Sequence, residues 1–260
     1  MSVPFKTHDL LNLDGVSHGF FGRTGGASTR TPYHSLNAAH GSRDDPQAVT
    51  QNRALIAGAL GTAPECLMGL SQIHSADVLI IDAPFKDPIS GDIPQADGLV
   101  TKTAGLAISV LSADCGPVLL CDPNAKVIGA CHAGWRGAVT GITTQTIKAM
   151  CAIGAKRENI CAVIGPCISQ PNYEVGHDFQ RELISQNKDH DVFFTVGPTG
   201  KPHFDLKRFI LSKLRGEGLT QIDALPDCTY GQADDYFSYR YNTHQNISGY
   251  GRNLSAIMLT

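Results

Sequence analysis

Residues 112–137, SADCGPVLLCDPNAKVIGACHAGWRG, constrain the fold more than any other stretch of the chain. PVLLC and KVIGAC are short, apolar and rich in strand formers, and the Asp122-Pro123-Asn124-Ala125 segment between them has strong turn chemistry. The pattern predicts a β-hairpin. With its centre between Pro123 and Asn124, residues whose numbers sum to 247 face each other, and Cys115 and His132 are such a pair. Directly opposed residues place their Cβ atoms about 4.5–5.5 Å apart on one face of the sheet. A thiol and an imidazole then converge at one end of a sheet, on condition that the register holds, because a slip of one residue separates them.

Around the hairpin, short strand-like runs alternate with a few amphipathic helices. Residues 46–60 carry Val49, Leu55, Ile56, Ala59 and Leu60 at helical spacing, with Asp45 as N-cap, Pro46 in the first position and Gly61 as the stop. A second helix is expected over 138–152, and a third begins after a capping Asp205 and ends near Gly216 or Gly218. Strands are expected at 18–22, 76–81, 106–111, 117–121, 126–131, 160–164 and 255–259, and a turn-rich loop at 83–96. A chain of 260 residues with 42% hydrophobic residues can bury an ample core. No repeat or linker divides it, so the expectation is one α/β domain over residues 1–260.

Composition narrows the function. A net charge of −3 lacks the basic excess of a nucleic-acid binder, and no apolar run is long enough to span a membrane. MSVPFKTHDL is unlike a signal peptide, which points to a cytoplasmic protein. In such a compartment most of the eight cysteines read as reduced core residues, Cys121, Cys131 and Cys161 among them. Cys115 is set apart by its partner. A Cys–His pair supports a metal site completed by a third ligand, for which His74 is the candidate, and leaves a position open for water. It equally supports a cysteine nucleophile activated by histidine, with His74 an ordinary loop residue. Asp114 could orient an imidazole, and Trp135 and Arg136 offer a stacking face and an anion fork after His132. Cys167, in GPC, is either a buried core residue or a further thiol near the site. There is no phosphate-loop, dinucleotide-binding, nucleobase-deaminase or nucleophile-elbow motif, and no HxH copper pattern.

FFGRTGG (20–26), SQIH (71–74), ADGLVT (96–101), ADCGPVLLCD (113–122), HAGWRG (132–137), IGPCI (164–168), YEVG (173–176) and FSYR (237–240) occur together in this order. Through them the chain resembles, over nearly its whole length, the laccase-domain proteins, long labelled polyphenol oxidases and regarded as zinc-dependent purine nucleoside phosphorylases. The resemblance implies a single compact domain of layered mixed sheets flanked by helices, similar to bacterial toxin deamidases that use a Cys–His pair. It implies zinc held by His74, Cys115 and His132, although copper can displace zinc at such ligands in the test tube. It also implies phosphorolysis of adenosine, inosine and methylthioadenosine, with deamination of adenosine to inosine. Purine nucleosides and phosphate are then the partners, with no nucleic acid or membrane. For that reaction Arg136 and Arg240 are the candidates to hold the anion, and Asn37 is a candidate substrate contact. Ser75 departs from the glycine usual in the family and bears on loop tightness and specificity. Two other readings stand beside this one: a Cys115–His132 amide hydrolase and a non-catalytic metal-stabilised binding module.

Overall fold

Strong local signals at α1 (Pro46–Leu60) show how the chain sets its elements: Asp45 accepts a hydrogen bond from the Gln47 N–H, Pro46 opens the helix, and Gly61 ends it at φ +84°. The computed structural model describes residues 3–85 and 93–260. Two strands, β1 (Phe5–Lys6) and β2 (Val16–Phe21), precede α1, and β3 (Leu67–Met68), β4 (Val78–Ile80), β5 (Gly98–Thr101) and β6 (Ala107–Ser112) follow it. The central hairpin is β7 (Gly116–Asp122) and β8 (Val127–Ala133), and the helices α2 (Trp135–Thr140) and α3 (Ile142–Ala152) come next. Beyond them lie β9 (Cys161–Ile164), α4 (His177–Gln186), β10 (Phe194–Val196) and β11 (Pro202–Phe204). The chain closes with α5 (Leu206–Gly216), β12 (Gln221–Ala224), α6 (Tyr239–His244) and β13 (Asn253–Leu259).

The strands form a five-stranded sheet in the order β1-β2-β13-β6-β3, a six-stranded sheet in the order β12-β9-β7-β8-β5-β4, and the small pair β10-β11. Both large sheets are mixed, as expected: β3 runs parallel to β6, and β4 to β5, among antiparallel neighbours. Alternation along the hairpin assigns the layers. Val118, Leu120, Val127 and Cys131 pack with Ile147, Met150, Phe209 and Ile210 of α3 and α5. Leu119, Cys121, Ile128 and Ala130 face the first sheet and meet Phe20, Ile108 and Ile257. The far face of that sheet is covered by Ile56, Ala57 and Leu60 of α1. Helix, sheet, sheet and helices therefore stack as four layers, and both hairpin strands are buried throughout.

Three expectations are corrected. The hairpin register pairs Gly116 with Ala133 and Asp122 with Val127, so facing numbers sum to 249 rather than 247. The cause is the Asp122 side chain, whose Oδ1 accepts from the N–H groups of Asn124 and Ala125 at 3.0 Å and moves the turn one residue onward. His132 consequently faces Pro117, not Cys115. Secondly, the helix expected at 138–152 is two helices starting at Trp135, broken at Gly141 with φ +99°. Thirdly, β5 is a strand outside the expected set, as are the short β1, β3, β10, β11 and β12. The strands that were expected are present with ends moved by at most two residues. Part of the loop expected at 83–96 lies outside the described residues, and at its end Gln95 bridges Ser71.

Candidate functional site

The two-residue change of register keeps Cys115 and His132 on one face, because side chains repeat every second residue. Cys115 stands just before β7, behind Asp114, whose φ of +92° is rare for a residue with a Cβ. His132 is the penultimate residue of β8. His74 comes from the loop before β4 and has φ +62°. Cys115 Sγ lies 4.0 Å from His74 Nε2, and the two imidazole rings meet edge to face with centroids 4.9 Å apart. One donor atom from each of the three residues lies within 4.8 Å of the others. Backbone strain at two of the contributing segments suits a functional site.

His132 is buried, Cys115 half-buried and His74 exposed, so the cluster opens to one side. It lines a cavity of about 290 Å³ whose wall also includes Gln72, Leu111, Tyr250 and Arg252. Burial alone would push the Cys115 thiol up, but the His132 and His74 imidazoles outweigh it and bring the thiol down to about 7. Burial likewise opposes charge on His132, yet Cys115 and the Asp97 carboxylate raise it to about 9. A thiolate–imidazolium pair is the result. The donor set of one soft thiolate and two imidazoles, close enough to share an ion and open on the cavity side, fits a metal such as zinc. Among the described residues it is the group of three or more side chains able to do so.

Other expected site residues stand elsewhere. Asn37 is fully buried, its amide donating to Ser42 Oγ and Asp44 Oδ2 while its Oδ1 accepts from the N–H groups of Ala39 and Arg252. It braces the loop behind Arg252 and lines neither cavity. Arg240 lines a second cavity of about 360 Å³ with Trp135, Tyr173 and Phe179. Its guanidinium lies over the Tyr173 ring at 5.5 Å, and exposed Arg136 stacks on Trp135 at 4.7 Å. Asp114 orients neither imidazole: its carboxylate accepts from Thr229 Oγ1 at 2.6 Å and from the Arg240 N–H at 2.7 Å, fastening the start of α6 beside Cys115. Cys167 is fully buried.

One contributor was not singled out in the sequence. Asp97, fully buried just before β5, lies 2.9 Å from His132 Nδ1 through Oδ1. Its Oδ2 accepts from the N–H groups of Ile73 at 3.1 Å and Ser75 at 2.7 Å, and from Ser75 Oγ at 3.1 Å. Burial would raise its carboxyl, but the His132 ring and the Ser75 and Ile73 N–H groups hold it below the ordinary value. The available signal was ADGLVT itself, an acid leading into an apolar run, which names no partner.

The model of the multi-copper polyphenol oxidoreductase laccase family matches residues 17–260. A purine nucleoside phosphorylase of Streptomyces coelicolor is 37% identical over 92% of this chain and 96% of its own length. One of Corynebacterium glutamicum is 40% identical over 85% and 87%. A Neisseria meningitidis crystal structure superposes with a TM-score of 0.83 at 32% identity, covering 98% of both chains. With the family model matching residues 17–260 and the relatives aligned over most of their length, the chain belongs to this laccase family, and relatives such as those of Streptomyces coelicolor and Corynebacterium glutamicum carry the name purine nucleoside phosphorylase.

Proposed function

We propose that the protein is a zinc-dependent purine nucleoside phosphorylase that also deaminates adenosine. The observation that carries the reading is the His74–Cys115–His132 cluster on the wall of a cavity, in a chain whose relatives are named for this phosphorolysis. In phosphorolysis, phosphate attacks the ribose C1′ while the purine departs with the electrons of the glycosidic bond, giving free base and ribose 1-phosphate. A bound zinc ion supplies Lewis-acid polarisation and a water of lowered pKa.

The chain's own residues bind, orient and hold protons. Arg252 puts a cation on the cavity that holds the cluster, and its guanidinium, stacked on Tyr250 at 5.2 Å, is pre-oriented for the phosphate. Arg240 lines the second, aromatic cavity, where a planar base can stack, and Arg136 stacks on Trp135 of its wall. The His132 Nδ1 contact with Asp97 leaves Nε2 for the cluster. For deamination the purine must instead reach the cavity that holds the cluster, with C6 open to a water and a proton available for the leaving amine.

The thiolate–imidazolium character of Cys115 and His132 favours a second reading, an amide hydrolase with Cys115 as nucleophile. Incubation of the zinc-loaded protein with adenosine, inosine or methylthioadenosine, with and without phosphate, separates them by chromatography. Phosphate-dependent free base is the expected result. No product from a folded, loaded sample overturns the nucleoside reading. Amide turnover that is indifferent to chelators but lost on alkylation would install the hydrolase.

A further inference from the structure

One carboxylate touches the segments that carry both histidines of the cluster. Oδ1 of Asp97 meets His132 Nδ1, and Oδ2 takes two backbone N–H groups from the loop that flanks His74 on either side. The peptide of Asp97 joins in as well: its carbonyl accepts from the His132 N–H at 2.8 Å, and its own N–H donates to Asp77 O at 3.0 Å. Ser75 adds a further donor through Oγ, which at the same time accepts from the Asp77 N–H at 3.1 Å and so has its proton directed at Asp97. Asp97 is wholly buried, so no water competes for these bonds.

We propose that Asp97 is the positioning residue of the metal site, fixing the ring tautomer of His132 and the strained backbone of His74 with one side chain. The inference rests on the metal reading above. A carboxylate only accepts hydrogen bonds, so His132 must keep a proton on Nδ1, and in the neutral ring the lone pair then lies on Nε2, the atom left to ligate. The opposite oxygen holds Ile73 and Ser75, between which His74 sits at φ +62°. Without that acceptor, the Ile73 and Ser75 N–H groups lose their partner and the left-handed conformation of His74 loses its support.

The arrangement makes Asp97→Asn a sharper test than removal of the side chain. The Ile73 and Ser75 N–H groups can only donate, so the amide oxygen must take their side. The amide NH₂ is then turned to His132 and offers a donor to Nδ1. Nδ1 becomes the acceptor, the proton of the neutral ring moves to Nε2, and the ligating lone pair is lost, although shape and volume are conserved.

The experiment titrates Co²⁺ into the metal-free full-length protein and follows the thiolate-to-cobalt charge-transfer band in the wild type, Asp97→Asn and Ser75→Ala. The expected result is a loss of affinity of roughly 10–100-fold in Asp97→Asn, with a smaller loss in Ser75→Ala, which keeps both backbone bonds. Equal affinity in folded Asp97→Asn and wild type overturns the inference while leaving the metal reading intact. No band in the wild type overturns both. Should Asp97→Asn fail to fold, ¹⁵N imidazole spectra of the zinc-loaded wild type decide the matter. Nδ1–H with metallated Nε2 on His132 is expected, and a metallated Nδ1 overturns it.

Discussion

A methyl group at residue 134 would stand 2.9 Å from Cys115 Sγ and 3.0 Å from His74 Cδ2. Gly134 has φ −68°, which any residue adopts, so its requirement is close approach rather than conformation. Gly134→Ala should fold but push two ligands apart, weakening Co²⁺ binding by about 10–100-fold if the overpacking cost of roughly 1–3 kcal/mol falls on the site. Unchanged affinity would show that the cluster has slack. The charges of Cys115 and His132 give a second prediction at this scale. His132 is raised to about 9, so its contribution to stability is full below its ordinary value of about 6.5 and is lost as pH rises through about 9. Cys115 is lowered to about 7, so its contribution is present above the ordinary thiol value and is lost as pH falls through about 7. The pair is therefore fully ionised only between about 7 and 9. In chelator-treated protein, alkylation by iodoacetamide should show a phase with a midpoint near pH 7 that Cys115→Ala abolishes. A midpoint at or above the free-thiol value of about 8.5 would remove the ion pair. Cys115 and His132 were legible as neighbours because one thiol and one imidazole flank a recognisable turn, and the change of register by two left them on one face. Asp97 was not, since its partners lie 22 to 35 residues away and a buried acid has no local signature.

Among the elements, the capped helix ends were placed correctly from local signals. Both ends of α1 follow from Asp45, Pro46 and Gly61, and α5 starts at Asp205, whose side chain accepts from the Arg208 N–H. The strand β5 escaped because GLVT is short and opens with glycine; β8 and β4 pair with it on either side and give it its place. The helix α4 carries its own weak signals: Gly176 at its N-cap makes no side-chain cap bond, and its apolar face is narrow, with Leu183 buried and Phe179 packed against the core. Joining α2 and α3 into one helix ignored Gly141, whose left-handed conformation turns the chain between them. The break has a function at this scale: α2 is free to start directly after Gly134, putting Trp135 on the second cavity, while α3 lies against the hairpin. Gly141→Ala would meet nothing closer than Thr144 Cβ at 3.8 Å, so its cost is conformational, about 1–2 kcal/mol. Urea unfolding should show that loss, and a neutral effect would mean that the break relaxes into a continuous helix.

At the scale of the whole molecule, the cluster terminates the middle layer of the stack. Side chains on the inner face of β7 and β8 pass from Cys121 and Leu119 to Pro117 and from Ile128 and Ala130 to His132, so the apolar layer between the sheets ends in the cluster. The ends of β3 and β6 in the other sheet supply Gly69, Leu70, Ser112 and Ala113 to the same cavity. Both sheets thus close on one site, and a ligand bound there links them. His74, on its loop, is exposed, whereas His132 belongs to a strand buried throughout, so an ion shared by the two ties a peripheral segment to the core. Metal should therefore stabilise the native fold by mass action: at a free ion concentration 100-fold above Kd the gain is about 2.7 kcal/mol. For a chain of this size that is a rise in Tm of roughly 5–10 °C. Differential scanning calorimetry of chelated and zinc-loaded protein measures it directly. Cys115→Ala should melt at one temperature in both states and show no turnover, which separates loss of the ion from loss of the fold. A rise in Tm that survives in Cys115→Ala would mean that the stabilising ion binds elsewhere, and the cluster would then have to be read as the thiolate–imidazolium pair of a hydrolase.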